Sequence, residues 1–144
     1  MNVETILKTK GRDVVTIGTG ATLAQAAKLL GQKSIGAVVV LDDAGAVAGI
    51  LSERDIVRAL AASGAAVLES PVSAVMTRRL FTCTLRDTID ALMALMTRQR
   101  IRHLPVLENG QLCGIVSIGD VVKHRLEEIE FEAEALREYV ATAG

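Results

Sequence analysis

The chain contains one phrase twice: GILSERD at residues 49–55 and GIVSIGD at residues 114–120, each set between an apolar run and a helical pattern. The phrase is part of a longer duplication. Moving residues 16–41 forward by 66 positions lays them on residues 82–107, and after a one-residue deletion near Ala44, residues 45–57 fall on 110–122 at a shift of 65. Thr16, Thr22, Leu29, Ile35, Val40, Leu41, Gly45, Gly49, Ile50, Ser52, Asp55 and Val57 then meet identical residues. Repetition constrains a fold more than any single motif, because both copies must satisfy the same architecture. The openings correspond as well: VETIL at 3–7 resembles VSAVM at 72–76, with about three extra residues around Lys10–Arg12 in the first copy.

Each copy predicts the same elements. DVVTI and RLFTC are short β-rich runs, and TLAQAAKLLGQKS and TIDALMALMTRQR carry helical apolar spacing. Thr22 and Gln25 form a capping-box pattern. AVVVL with VAGIL, and HLPVL with LCGIV, read as strand pairs joined by the Asp-Asp-Ala-Gly and Glu-Asn-Gly turns. A second helix begins after each Ser-x-x-Asp. GTGAT at 18–22 looks like a phosphate loop but aligns with TLRDT, so it reads as a strand-to-helix turn. The expected fold class is α+β: two β-α-β-β-α repeats packed as one pseudo-twofold globule, since a unit of about 55 residues buries too little surface alone. The expected boundaries are residues 1–61 for the first repeat, 62–71 for a linker, 72–126 for the second repeat and 127–144 for a C-terminal helical extension. In that extension Val122, Leu126, Ile129, Ala133, Leu136 and Val140 alternate steps of four and three. Such a stripe either folds back on its own globule or packs against a second subunit.

Composition narrows the function. Half the residues are hydrophobic and 2% aromatic, so the core is interlocked aliphatics. A net charge of -1 gives no global field to recruit nucleic acid or an anionic membrane. No apolar run approaches the roughly 20 residues of a bilayer span, and MNVETILKTK lacks a signal-peptide core, so a cytoplasmic protein is expected. Cys83 and Cys113 lack CxxC spacing and read as two reduced, buried thiols in strand-like runs. No metal-ligand spacing, G-x-S-x-G or Walker-type GK[ST] is present, and nothing reads as a catalytic base or nucleophile, so no enzyme is expected.

Ser52 with Asp55, and Ser117 with Asp120, stand where a strand gives way to a helix. Two readings hold together there. Ser-x-x-Asp is a variant capping box, with the Ser oxygen on the N3 amide and the Asp favourably placed in the first turn. A helix start also offers unpaired N–H groups to a phosphate, while a carboxylate can accept both hydroxyls of a ribose. Gly49 and Gly114 are expected to keep the strand end open where a ligand presses in. Arg54, between Ser52 and Asp55, is a further cation, and its counterpart is Gly119.

With those paired segments and the run IRHLPVLENGQLCGIVSIGDVV in view, the chain resembles a tandem CBS-domain protein, or Bateman module, over nearly its whole length. The second copy matches the family wording more closely. The first departs at Gly36-Ala37-Val38-Val39, where the basic pair and the Pro are missing. The resemblance implies a regulatory module that binds AMP, ADP, ATP, a dinucleotide such as NAD(H), or S-adenosylmethionine in clefts between the copies. It also implies a disk-like homodimer acting on an unidentified target protein, with a ligand-free dimeric scaffold as the alternative. The sites expected from it are Met76, Thr77, Thr82, Ile101, Arg102, His103, Leu104, Pro105, Ser117 and Asp120 for the second repeat. For the first they are Thr16, Ile17, Gly36, Ala37, Val38, Ser52, Arg54 and Asp55. Arg102 and His103 are the implied phosphate contacts, and Thr16–Ile17 and Met76, Thr77 and Thr82 the implied walls for adenine.

Overall fold

The computed structural model describes residues 1–143. The chain forms α1 (Val3–Lys10), β1 (Thr16–Gly18), α2 (Leu23–Lys33), β2 (Ala37–Leu41), β3 (Val47–Ser52), α3 (Glu53–Ser63), α4 (Ile89–Gln99), β4 (His103–Glu108), β5 (Gln111–Ser117) and α5 (Ile118–Ala143). Two 3₁₀ turns, Ala65–Glu69 and Val72–Ala74, lie between α3 and α4. The mixed α and β repeats and the long final helix agree with the sequence reading.

The chain condenses into two compact units whose membership differs from the repeats. One holds residues 13–81; the other joins residues 1–12 to Thr82 and everything after it. The opening segment of each copy therefore packs with the other copy's strands.

In the unit of residues 13–81, β1 runs parallel to β2 and β2 antiparallel to β3. Thr22 caps α2 and Gln25 returns the bond, the two-way capping box its spacing predicts. Leu23, Ala26 and Leu30 bring one face of α2 onto Val38, Val40 and Leu51 of the sheet, with Ile56, Val72 and Met76 completing the core. Within the span read as a linker, Val67 and Leu68 are partly buried against this core.

In the other unit, β4 and β5 pair antiparallel with a register slip at Val106/Leu107, the counterpart of the slip at Val40/Leu41. Asn109 and Gly110 both take positive φ, which a tight hairpin turn requires. The strand expected at RLFTC shrinks to a single parallel bridge, Cys83 to Val106. Pro105 accounts for one of the lost rungs. Its counterpart Val39 donates its N–H to Val15, and proline has none to give. Helix α1 belongs to this unit: Val3, Ile6 and Leu7 are buried, and Val3 N donates to Asp87 O at 2.9 Å.

Candidate functional site

Both Ser-x-x-Asp segments fold alike. Ser52 caps α3: its Oγ accepts from Asp55 N at 3.2 Å, while Asp55 Oδ2 accepts from Ser52 N at 3.0 Å and from Ser52 Oγ at 3.1 Å. In the other unit Ser117 Oγ accepts from Asp120 N at 3.2 Å, and Asp120 Oδ2 accepts from Ser117 N and Ser117 Oγ, each at 2.9 Å. The local geometry is thus a reciprocal capping box in both copies. Neither carboxylate is sealed away; both aspartates are half-buried at the surface of their unit. The residue before β2 or β4 closes each helix start the same way: Gly36 O accepts from Glu53 N at 2.9 Å and Arg102 O from Ile118 N at 2.8 Å.

The sites part company in what else reaches the carboxylate. Thr77 Oγ1 donates to Asp55 at 3.3 Å. Asp120 instead meets Lys10, whose Nζ lies 2.7 Å from Oδ2 and donates also to Ile115 O at 2.9 Å. Burial pushes the Asp120 carboxyl up, but the Lys10 ammonium and the Ser117 amide and hydroxyl together hold it below the ordinary carboxylate value.

Several expected site residues fall elsewhere. Met76 and Thr77, expected beside Asp120, lie in the Asp55 unit, where Thr77 exchanges both backbone hydrogen bonds with Ile50. Gly49 and Gly114 open no space for a ligand. A Cβ on Gly49 would stand 2.8 Å from both Met76 Sδ and Thr77 O, and one on Gly114 2.7 Å from Leu7 Cδ1. These glycines admit a neighbouring segment of protein. Val38 and Leu104 are fully buried and Ala37 nearly so, because β2 and β4 are covered on both faces and bury consecutive residues; Pro105 is buried as well. Their side chains serve the core, which leaves only their backbone for a ligand. Thr16, Ile17, Ile101 and His103 are half-buried, His103 opposite Ser117 in the ladder, and Thr82, Arg102 and Arg54 are exposed.

Lys10 is the residue the sequence reading missed. Its one signal is the extra residues that follow VETIL, which prolong α1 to Lys10 where the other copy has only a 3₁₀ turn. His124, also unassigned, is buried with Nδ1 donating to Asp120 O at 3.0 Å, which ties the first turn of α5 to its second. Burial pushes the Cys83 thiol up to about 12, with Asp87 and Cys113 adding to it, so it stays protonated and unreactive, whereas Cys113, expected to be buried too, is only half-buried in β5. Among the described residues no cluster of three or more His, Cys, Asp or Glu could hold a metal ion, and no helix is long and apolar enough to cross a membrane. A shallow hollow of about 500 Å³, lined by Ala27, Leu30, Gly31, Ile35, Ile56 and Val57 among others, opens between α2 and α3 without including Asp55.

A family description, "CBS domain", matches the chain twice, at residues 4–62 and 72–127. The mitochondrial CBS domain-containing protein CBSX3 of Arabidopsis thaliana is 34% identical over 96% of this chain and 71% of its own. The crystal structure of the CBS-domain containing protein ATU1752 from Agrobacterium tumefaciens superposes with a TM-score of 0.84 at 52% identity, over 86% of this chain and 92% of that one. A structure of the CBS domain pair of protein MJ0100, in complex with 5'-methylthioadenosine and S-adenosyl-L-methionine, gives 0.76 at 25% identity over 85% and 98%.

Proposed function

The chain belongs to the CBS-domain family, and from that premise we propose that it is a regulatory module that binds an adenosine-containing ligand at its Ser-x-x-Asp helix starts. One observation carries the reading. The same half-buried carboxylate, held by the same reciprocal cap, recurs at the start of α3 and of α5. A helix start suits a phosphate and a carboxylate suits a ribose diol, and both lie within one turn. The ligands of the MJ0100 pair, both adenosine derivatives, support that chemical class. AMP, ADP, ATP, NAD(H) and S-adenosylmethionine are the candidates.

The two sites would not be equal. At Asp120 a ligand meets a carboxylate already shared with an ammonium, and at Asp55 one shared with a neutral hydroxyl. Arg54 and Arg102, both exposed beside a helix start, are the nearest candidates for phosphate contacts. The module works as a cytoplasmic homodimer. A ligand with different affinity for two of its states would shift the one presented to a target protein.

A ligand-free scaffold is the second reading, favoured by the exposed apolar residues Val57, Leu126, Leu136 and Val140. Thermal unfolding with adenosine, AMP, ATP, NADH and S-adenosylmethionine separates the two. A ligand at 100 times its Kd adds about 2.7 kcal/mol of stability. Asp55→Ala with Asp120→Ala should abolish that gain in a protein that still folds. No shift with any of the five compounds favours the scaffold.

A further inference from the structure

Helix α5 docks on its own unit through one face and leaves another uncovered. Val121 and His124 are buried and Glu128 is largely covered, and they define the docked face. At about 100° per residue, the stripe of Val122, Leu126, Ile129, Ala133, Leu136 and Val140 points about 130° away from it. Val122 is 44% exposed, Leu126 55%, Leu136 62% and Val140 63%. The stripe therefore does not fold back on the chain, the first of the two readings its spacing allows. It runs past residue 127, where the second family match ends.

We propose that this stripe is a parallel two-helix seam with α5 of a second copy, an interface carried by the C-terminal extension and independent of any bound ligand. The flanking charges choose the partner and its direction. With the stripe as core positions, Arg125, Glu132 and Tyr139 lie along one edge, and Lys123, Glu130 and Arg137 along the other. In a parallel, in-register pair Arg125 faces Glu130 of the second copy and Glu132 faces its Arg137. Symmetry doubles both attractions. An antiparallel pair using the whole stripe would set Lys123 against Arg137, Glu130 against Glu130 and Glu132 against Glu132, all like charges, and Arg125 against the uncharged Tyr139. Arg125 Nη1 already serves Glu128 at 2.9 Å, and a guanidinium has further donors to offer. Fewer than three heptads are marginal for free peptides. Here the first turns of α5 are held by their own unit, so the nucleation cost is met before association.

The experiment is sedimentation equilibrium on the full chain with four variants. The wild type should be a dimer. Leu136→Glu lies beyond the docked turns; it should weaken association by about 100-fold or more while circular dichroism and Tm show a folded protein. Glu132→Arg should weaken it several-fold, and Glu132→Arg with Arg137→Glu should restore it. Val140→Cys should form an intermolecular disulfide under mild oxidation, because a parallel seam sets the two cysteines side by side. A monomeric wild type overturns both the seam and the homodimer of the proposed function. A dimer indifferent to Leu136→Glu, one not rescued by the charge exchange, or one that does not cross-link at residue 140 overturns the seam alone.

Discussion

Asp55 and Asp120 occupy the same place in two copies of one sequence, with the same cap, the same preceding strand and the same closing carbonyl. They differ in the last partner. Asp55 receives a threonine hydroxyl from 22 residues away, and Asp120 a lysine ammonium from 110 residues away. Both partners come from the opening segment of the other copy, which packs against the glycine of the phrase: Met76 over Gly49 and Leu7 over Gly114. Duplication thus conserved the frame. One additional stretch of α1 then changed the charge at one of two otherwise matched sites.

The largest test of the comparison asks where α1 belongs. Leu7→Ala removes a side chain 2% exposed and should cost about 2–5 kcal/mol. Hydrogen exchange should rise first in β5 and α5, and early loss of protection in β2 and β3 would assign α1 to the other unit. The glycines come next. Gly49→Ala meets a backbone oxygen that cannot move aside and should cost about 1–3 kcal/mol in chemical denaturation, and more than Gly114→Ala, which meets only the end of a leucine. Equal costs would mean that the two segments yield alike.

The smallest effect is electrostatic. Asp120→Asn should lose about 1 kcal/mol near neutral pH, a figure typical of a weakened cap. Because the folded Asp120 carboxyl lies below its ordinary value of 3.8, its contribution is complete above that value and fades as pH falls through the folded one. The gap between wild type and Asp120→Asn should therefore close below about pH 4 in urea titrations. A gap that stays constant down to pH 2 would show that folding does not hold the Asp120 carboxyl below its ordinary value.

How much could be read in advance follows from the range of each interaction. The capping boxes, the hairpin turns and the helix faces close within three or four residues, and a 3.6-residue period or a Ser-x-x-Asp spacing announces them directly. Pro105 was legible too, but as a feature of the motif; its effect on the ladder depends on which strand lies beside it. Thr77 was named with Asp120 but donates to Asp55, and the two glycines were read as room for a ligand. In each case the neighbour comes from the opening segment of the other copy, and nothing within one copy's own pattern names it.

The sequence by itself determined the duplication, the elements of each repeat and the caps on α3 and α5, because those rest on periodicity and short-range hydrogen bonds. Tertiary structure alone decided that α1 serves the second copy's strands, that Lys10 neutralises Asp120, and that the stripe on α5 is left uncovered by its own chain. Those outcomes depend on which distant surfaces meet, and contacts across 22 or 110 residues are set by the shape and burial of whole elements.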